Sequence, residues 1–211
     1  MKKHNLSEME LDTLGEVSNI CLGISATALN VLLHNDVTIT TPRIWVYDTD
    51  EIKENFQQEK VTVKCNYVVG LTRSDLLLLE IDDAKKIADL MMGGDGNGMF
   101  SEGELSEMHL SAVSETMNQM MGSSATALSN MLDTTTDIST PETKVAKASE
   151  MILTTFPEEE IFVCIEFETK VGSVLDFKVV QVYPYTVSKQ ISTLFLEKEK
   201  KMKQLKQQNK G

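Results

Sequence analysis

Positive charge is scarce in most of this 211-residue chain, which carries 32 acidic against 20 basic side chains, a net −12. The segment from Glu197 to the end holds six lysines and two glutamates, so the first 196 residues carry −16. Such a body repels polyanions, and neither nucleic acid nor membrane insertion is expected of it. Cysteine is also rare. Cys21, Cys65 and Cys164 are odd in number and show no Cys-x-x-Cys spacing. That argues against a disulfide framework and a zinc site, and reduced thiols in a cytoplasm are the expected state. The three histidines, His4, His34 and His109, are scattered, and none has a Ser, Cys or Asp partner at a motif spacing. A hydrolase triad or a histidine metal site is therefore not expected. No uninterrupted apolar run reaches the roughly 18 residues that a membrane span needs. The start "MKKHNLSEMELD" has two lysines with no apolar stretch behind them, which is not the pattern of a secretory leader.

What the chain has instead is a repeat. Shifted by 99 residues, Leu6–Pro42 aligns with Leu105–Pro141 without a gap, and 17 of the 37 positions are identical. "LSEM" opens both copies, "SATAL" recurs, and "TP" closes both. Two copies are too few for a solenoid, so one domain over 1–196 is expected, with pseudo-twofold halves 1–98 and 99–196. The lysine-rich tail 197–211 reads as a solvated, fraying helix end.

Each copy opens as a long helix. In the first, Leu11, Leu14, Val17/Ile20, Cys21, Ile24, Ala28, Val31 and Leu32 recur at three- and four-residue steps. Ser7 and Ser106 are natural N-caps, with Glu8, Glu10 and Glu107 in the first turns, facing the positive end of the dipole. Short β-prone stretches follow, "VTIT", "RIWVY", "VTVKCNYVVG" and "LLLLEI", then a helix over "DDAKKIADLMMGG" capped by Asp82. The second half repeats the order and ends in a helix from about Tyr185. The pattern predicts an α+β fold, an antiparallel sheet backed by helices. The connector "GGDGNGMFSEGE" lacks a Walker lysine, and Met99 stands where a calcium loop needs oxygen, so it reads as a flexible link between halves. The methionine doublets Met91–Met92 and Met120–Met121 read as adaptable core filler.

One polar stripe is repeated with the helix. Asp12, Glu16, Asn19 and Gly23 project within about 60° of one another at 3.6 residues per turn. Ser111, Glu115, Asn118 and Gly122 do the same. The bland account is a wet helix face. Against it, a mid-helix Gly costs about 1 kcal/mol relative to Ala, and Asn is a poor interior helix former. A missing side chain below a Glu/Asn pair would let another molecule's backbone come close. The residues alone leave both accounts open. A carboxylate and a carboxamide, without a nucleophile or metal ligands, cannot complete a reaction; they can lend an oriented amide and a charge to another protein's active site.

The spacing Asp12-x3-Glu16-x2-Asn19-x22-Pro42, repeated as Ser111-x3-Glu115-x2-Asn118-x22-Pro141, resembles the doubled signature of the CheC/CheX/FliY phosphatases of bacterial chemotaxis. The resemblance implies a pseudo-twofold CheC-like domain with two long, exposed motif helices. It implies a hydrolase acting on the aspartyl phosphate of CheY, the response regulator of the flagellar motor. In that scheme Asn19 and Asn118 orient the attacking water, and Glu16 and Glu115 pair with a lysine of CheY. Asp12, Ser111, Gly23, Gly122, Pro42 and Pro141 support the motif. The same resemblance implies no cofactor on this chain, Mg2+ being supplied by the phosphorylated partner, and a cytoplasmic place at the motor switch. Its other branches imply alternatives: a non-catalytic switch scaffold contacting other flagellar proteins, as in the FliM middle domain, or an adaptor that binds CheD.

Overall fold

In the computed structural model the described residues are 6–71, 74–98 and 100–208. His4, Met99 and the last three residues of the tail lie outside them. The first half runs α1 (Glu8–Leu33), β1 (Val37–Ile39), β2 (Arg43–Asp48), α2 (Thr49–Asn55), β3 (Glu59–Val69), β4 (Ser74–Leu79) and α3 (Ile81–Met91). The second half repeats that order as α4 (Glu107–Leu132), β5 (Asp137–Ile138), β6 (Glu142–Lys147), α5 (Ala148–Thr155), β7 (Ile161–Val171), β8 (Leu175–Pro184) and α6 (Tyr185–Gln208). Helix α6 continues through Glu197 without a break.

All eight strands join one antiparallel sheet, ordered β1-β7-β8-β4-β3-β5, with β2 also on β7 and β6 also on β3. Exchanging the halves leaves this pairing unchanged. β1 and β2 lie on β7 as β5 and β6 lie on β3, and β4 pairs with β8 from Leu76↔Val182 to Leu79↔Val179. The pseudo-twofold axis therefore runs between β4 and β8. Each half lends its edge strands to the other, so the two sequence repeats share one sheet.

Both faces of the sheet are covered, which explains why β4 reads as an unbroken run of leucines rather than an alternation. Leu77, Leu79, Val163, Ile165, Phe167, Phe177 and Val179 pack under α1, α3, α4 and α6. Leu76, Leu78, Phe162, Cys164 and Val182 face the other way, against Ile52 of α2 and Met151, Ile152 and Phe156 at α5. By length and composition α1 could cross a membrane. Here one side of it, including Leu14, Val17, Leu22, Leu29 and Leu33, is buried in the core, and that burial accounts for much of its apolar content, while Ile24 and Val31, which the periodicity placed with the apolar face, are exposed.

The caps are partly as expected. Ser7 and Glu10 form a reciprocal capping box, with Ser7 N–H donating to Glu10 Oε2 at 2.8 Å. Ser106 uses His109 instead: its N–H donates to Nδ1 at 2.9 Å, and the opposite ring nitrogen lies 2.6 Å from the Phe100 carbonyl. Helix α3 departs from expectation. Its N-cap is Glu80, and Asp82 lies inside the first turn, paired with Lys85 at 2.8 Å. An acidic residue stabilises that turn equally well there, by its charge against the dipole.

The Gly-rich connector also departs from expectation. Rather than a loose link, it is folded around the buried Asp89 side chain, whose carboxylate accepts from the backbone N–H groups of Gly96 (2.9 Å), Gly98 (3.2 Å) and Phe100 (3.2 Å). A Cβ at Gly94 or Gly98 would overlap that carboxylate. The glycines are there to let backbone wrap an anion. Of the methionine doublets, Met120 and Met121 are buried as expected, whereas Met92 is exposed.

Candidate functional site

Helices α1 and α4 cross at the repeated "SATAL" segments. Ser25 Oγ lies 2.7 Å from Ser124 Oγ, the residue 99 positions on, and 2.9 Å from the Met120 carbonyl. The two hydroxyls meet at the pseudo-axis. Small residues at such a crossing let helix backbones approach closely, with Ala26, Ala125 and Ala127 buried beside them. The repeat of "SATAL" is thus a packing requirement, fixing how the outer faces of the two helices are presented.

Those outer faces carry the motif. On α1, Asp12, Glu16, Asn19 and Gly23 are all exposed. On α4, Ser111 and Glu115 are exposed, whereas Asn118 and Gly122 are half-buried. A Cβ built on Gly23 or Gly122 would meet nothing within 4 Å. Nothing in this fold requires glycine at either position, and the empty space is available to an incoming molecule.

Among the described residues, the side chains of Glu16, Asn19 and Asn118 make no hydrogen bond. Glu115 differs: Gln119, one turn on, donates to its Oε1 at 2.9 Å. The residue at that place in α1 is Ile20, which leaves Glu16 unrestrained. The two prolines lie apart from the stripes, directly before β2 and β6, where the missing N–H is tolerated. Pro42 leads into β2, whose Ile44 packs over Gly15 of α1. Its part is to start the strand that braces the motif helix.

A second group of polar residues, not singled out in the sequence, lies under the crossing. Asp75 of β4 is buried, and its Oδ2 accepts from Gln181 (2.5 Å) and Tyr67 (3.3 Å), while Gln181 also reaches Tyr183 Oη at 2.6 Å. Asp75 Oδ1 has no partner among the described residues. Burial raises the carboxyl to about 7 despite these hydrogen bonds. The signal was hidden because "SDLLLL" reads as a strand start, where an Asp is usually wet. Tyr67 and Tyr183 are raised well above the ordinary tyrosine value by the same burial. Asp75, Gln181 and Tyr183 are buried and Tyr67 partly so, which sets the cluster apart from the exposed stripe of α1. The thiols are equally withdrawn: Cys21 and Cys65 are buried and pushed up to about 12. Among the described residues no group of three or more His, Cys, Asp or Glu could hold a metal ion.

The surface chemistry is therefore a carboxylate and a carboxamide one helical turn apart beside a bare backbone, exposed on α1 and with the carboxamide half-buried on α4. Such a pair can orient one small molecule, such as water, and form one ion pair.

Residues 9–45 and 108–145 match the model of the CheC-like family, one match per motif helix and the strands after it. The chain is 43% identical over 196 residues to the flagellar motor switch phosphatase FliY of Bacillus subtilis, covering 92% of this chain and 51% of that protein. It thus spans about half the length of that relative. A crystal structure of Thermotoga maritima FliY superposes with a TM-score of 0.83 at 36% identity, over 92% of this chain and all of that one. FliM from the FliG–FliM complex of H. pylori shares the fold at 14% identity (TM-score 0.70; 89% of this chain, 100% of that one). So does a Borrelia burgdorferi CheX in complex with CheY, BeF3 and Mg2+, at 15% identity (TM-score 0.50; 79% and 96%). By these matches in sequence and in fold, this chain belongs to the CheC-like family.

Proposed function

We propose that this chain hydrolyses the aspartyl phosphate of phosphorylated CheY, acting in the cytoplasm at the flagellar motor switch. The observation that carries the reading is the pair of stripes. Each copy places Glu and Asn one turn apart, both exposed on α1 and with the Asn half-buried on α4, beside a glycine that the fold itself does not need. The B. subtilis relative is named a motor switch phosphatase, and a CheX of this fold has been seen bound to CheY, which supports the choice of substrate.

In this reading Glu16 and Glu115 form an ion pair with a lysine of the regulator and set the angle at which the helix enters its site. Asn19 and Asn118 donate to and accept from one water, holding it in line with the acyl phosphorus. Fixing a single water in attack geometry is an orientation effect, and such effects lower barriers without new covalent chemistry. Phosphoryl transfer suits this division, because positioning and charge neutralisation supply most of its catalysis. The acyl phosphate and its Mg2+ belong to the regulator, and this chain brings no cofactor. Gly23 and Gly122 let the partner's backbone approach the helix. Asp12 and Ser111, one turn before the glutamates, support the docking face.

The test is the rate of phosphate loss from phosphorylated CheY with and without the chain, in excess Mg2+. Acceleration is expected. The likeness to FliM favours one rival, a scaffold that makes motor contacts and leaves that rate unchanged. Other switch proteins and CheD enter as partners through the family resemblance.

A further inference from the structure

The two stripes sit in different surroundings. On α1, Met9, Ile20, Ile24 and Val31 are exposed by 65%, 40%, 48% and 76%. At about 100° per residue they fall in one strip that borders the Glu16/Asn19/Gly23 stripe along its whole length. The residues 99 positions on are Met108, Gln119, Ser123 and Asn130. Only the methionine is kept.

The second copy serves as an internal control. It adopts the same helix, crosses at the same point and faces solvent with polar residues, so the fold does not require an apolar strip there. β-Branched residues are also poor choices for exposed helix positions, since they restrict χ1 and gain no burial. Three of them together on α1 form a patch of the kind that marks an interaction surface. The occupant is constrained by position. Ile20 lies one turn from both Glu16 and Gly23, and Ile24 continues the strip one turn further on, so a molecule that reaches the Glu16/Gly23 stripe lies directly against the strip.

We infer that α1 is the higher-affinity docking helix: its apolar strip packs against apolar side chains bordering the acyl phosphate of the partner protein, and α4, lacking the strip, binds more weakly. Gln119 gives α4 a different character, because its amide holds the Glu115 carboxylate in place through Oε1 and leaves Oε2 for the partner. This inference rests on the phosphatase reading and assigns Ile20 and Ile24 as its affinity residues.

The experiment uses single-site proteins, Asn118→Ala leaving α1 active and Asn19→Ala leaving α4 active. Residues are then exchanged between copies, Ile20→Gln with Ile24→Ser in the first, Gln119→Ile with Ser123→Ile in the second. Steady-state dephosphorylation of phosphorylated CheY gives KM and kcat for each. In the α1-only protein the exchange should raise KM about tenfold, the effect of losing two half-buried isoleucines from an interface, with kcat within about twofold. In the α4-only protein the reverse exchange should lower KM. Melting temperatures, expected to be nearly unchanged because all four positions are at or near the surface, establish that the variants are folded. An α1-only protein whose KM does not move on exchange overturns the inference, while acceleration by the unmodified chain leaves the phosphatase reading standing. If the unmodified chain does not accelerate phosphate loss at all, both fall.

Discussion

Gly23 and Gly122 are placed against the interest of their own helices. Neither has a neighbour that a methyl group would touch, and neither has a positive φ. Substitution by Ala should therefore stabilise each helix by about 1 kcal/mol. If the glycines exist to admit a partner's backbone, the double variant Gly23→Ala/Gly122→Ala will melt higher and turn over CheY phosphate more slowly. A double variant that is both more stable and fully active would show that the bare backbone has no docking role. Asp75 makes a separate prediction. An Asp at its ordinary value of 3.8 in the unfolded chain and about 7 in the fold binds its proton more tightly when folded. Its contribution to stability is thus complete below about pH 4 and is lost as pH rises towards about 7. Chemical denaturation across that window should show wild type losing stability relative to Asp75→Asn, which cannot titrate. Parallel curves would mean that the carboxyl is not neutral in the core.

At the scale of elements, the crossing of α1 and α4 and the connector before α4 determine how the stripes are held. Ser25 is fully buried where the helices touch, so Ser25→Leu must push them apart. Overpacking of this kind costs about 1–3 kcal/mol, and both stripes should lose activity together, since the crossing orients both. Asp89→Ala would leave the N–H groups of Gly96, Gly98 and Phe100 without their acceptor, a loss on the order of 2–4 kcal/mol in urea or guanidinium titrations. A flexible connector would tolerate the change. Glycine clusters signal mobility and tight wrapping of a side chain alike, and only the fold places Asp89 inside the loop. The short helices α2 and α5 also went unread. For α2 the signal was present: Asp48 accepts from the N–H groups of Asp50 and Glu51, and Glu51 accepts from Asp48, a capping box spelled Asp-Thr-Asp-Glu. Both are single short stretches after a strand, too brief for hydrophobic periodicity to show.

For the whole molecule, the 99-residue repeat was the most informative feature of the sequence. It foretold a pseudo-twofold fold and the presence of two stripes, because identical residues at a fixed offset are satisfied together by a symmetric fold; the packing of α1 on α4 appears only in three dimensions. It could not reveal that edge strands are exchanged between halves, since strand partners are chosen by tertiary packing. Nor could it distinguish the two parts of the repeat: "SATAL" packs at the helix crossing, whereas Glu-x2-Asn and the Gly after it lie at the surface, exposed on α1 and partly so on α4. The stripe itself was legible from spacing, but its asymmetry was not, because exposure and the Gln119–Glu115 hydrogen bond appear only in three dimensions.

The central claim is that Asn19 and Asn118 each orient an attacking water at a separate site. Single-turnover dephosphorylation of phosphorylated CheY by wild type, Asn19→Ala, Asn118→Ala and the double variant tests it most directly. Each single variant should keep part of the acceleration, with Asn19→Ala losing more at low substrate because α1 docks more tightly. The double variant should lose on the order of 10²-fold, about 2.7 kcal/mol in barrier, with its melting temperature unchanged or slightly raised. A double variant as fast as wild type would contradict the account and leave the two helices as scaffold.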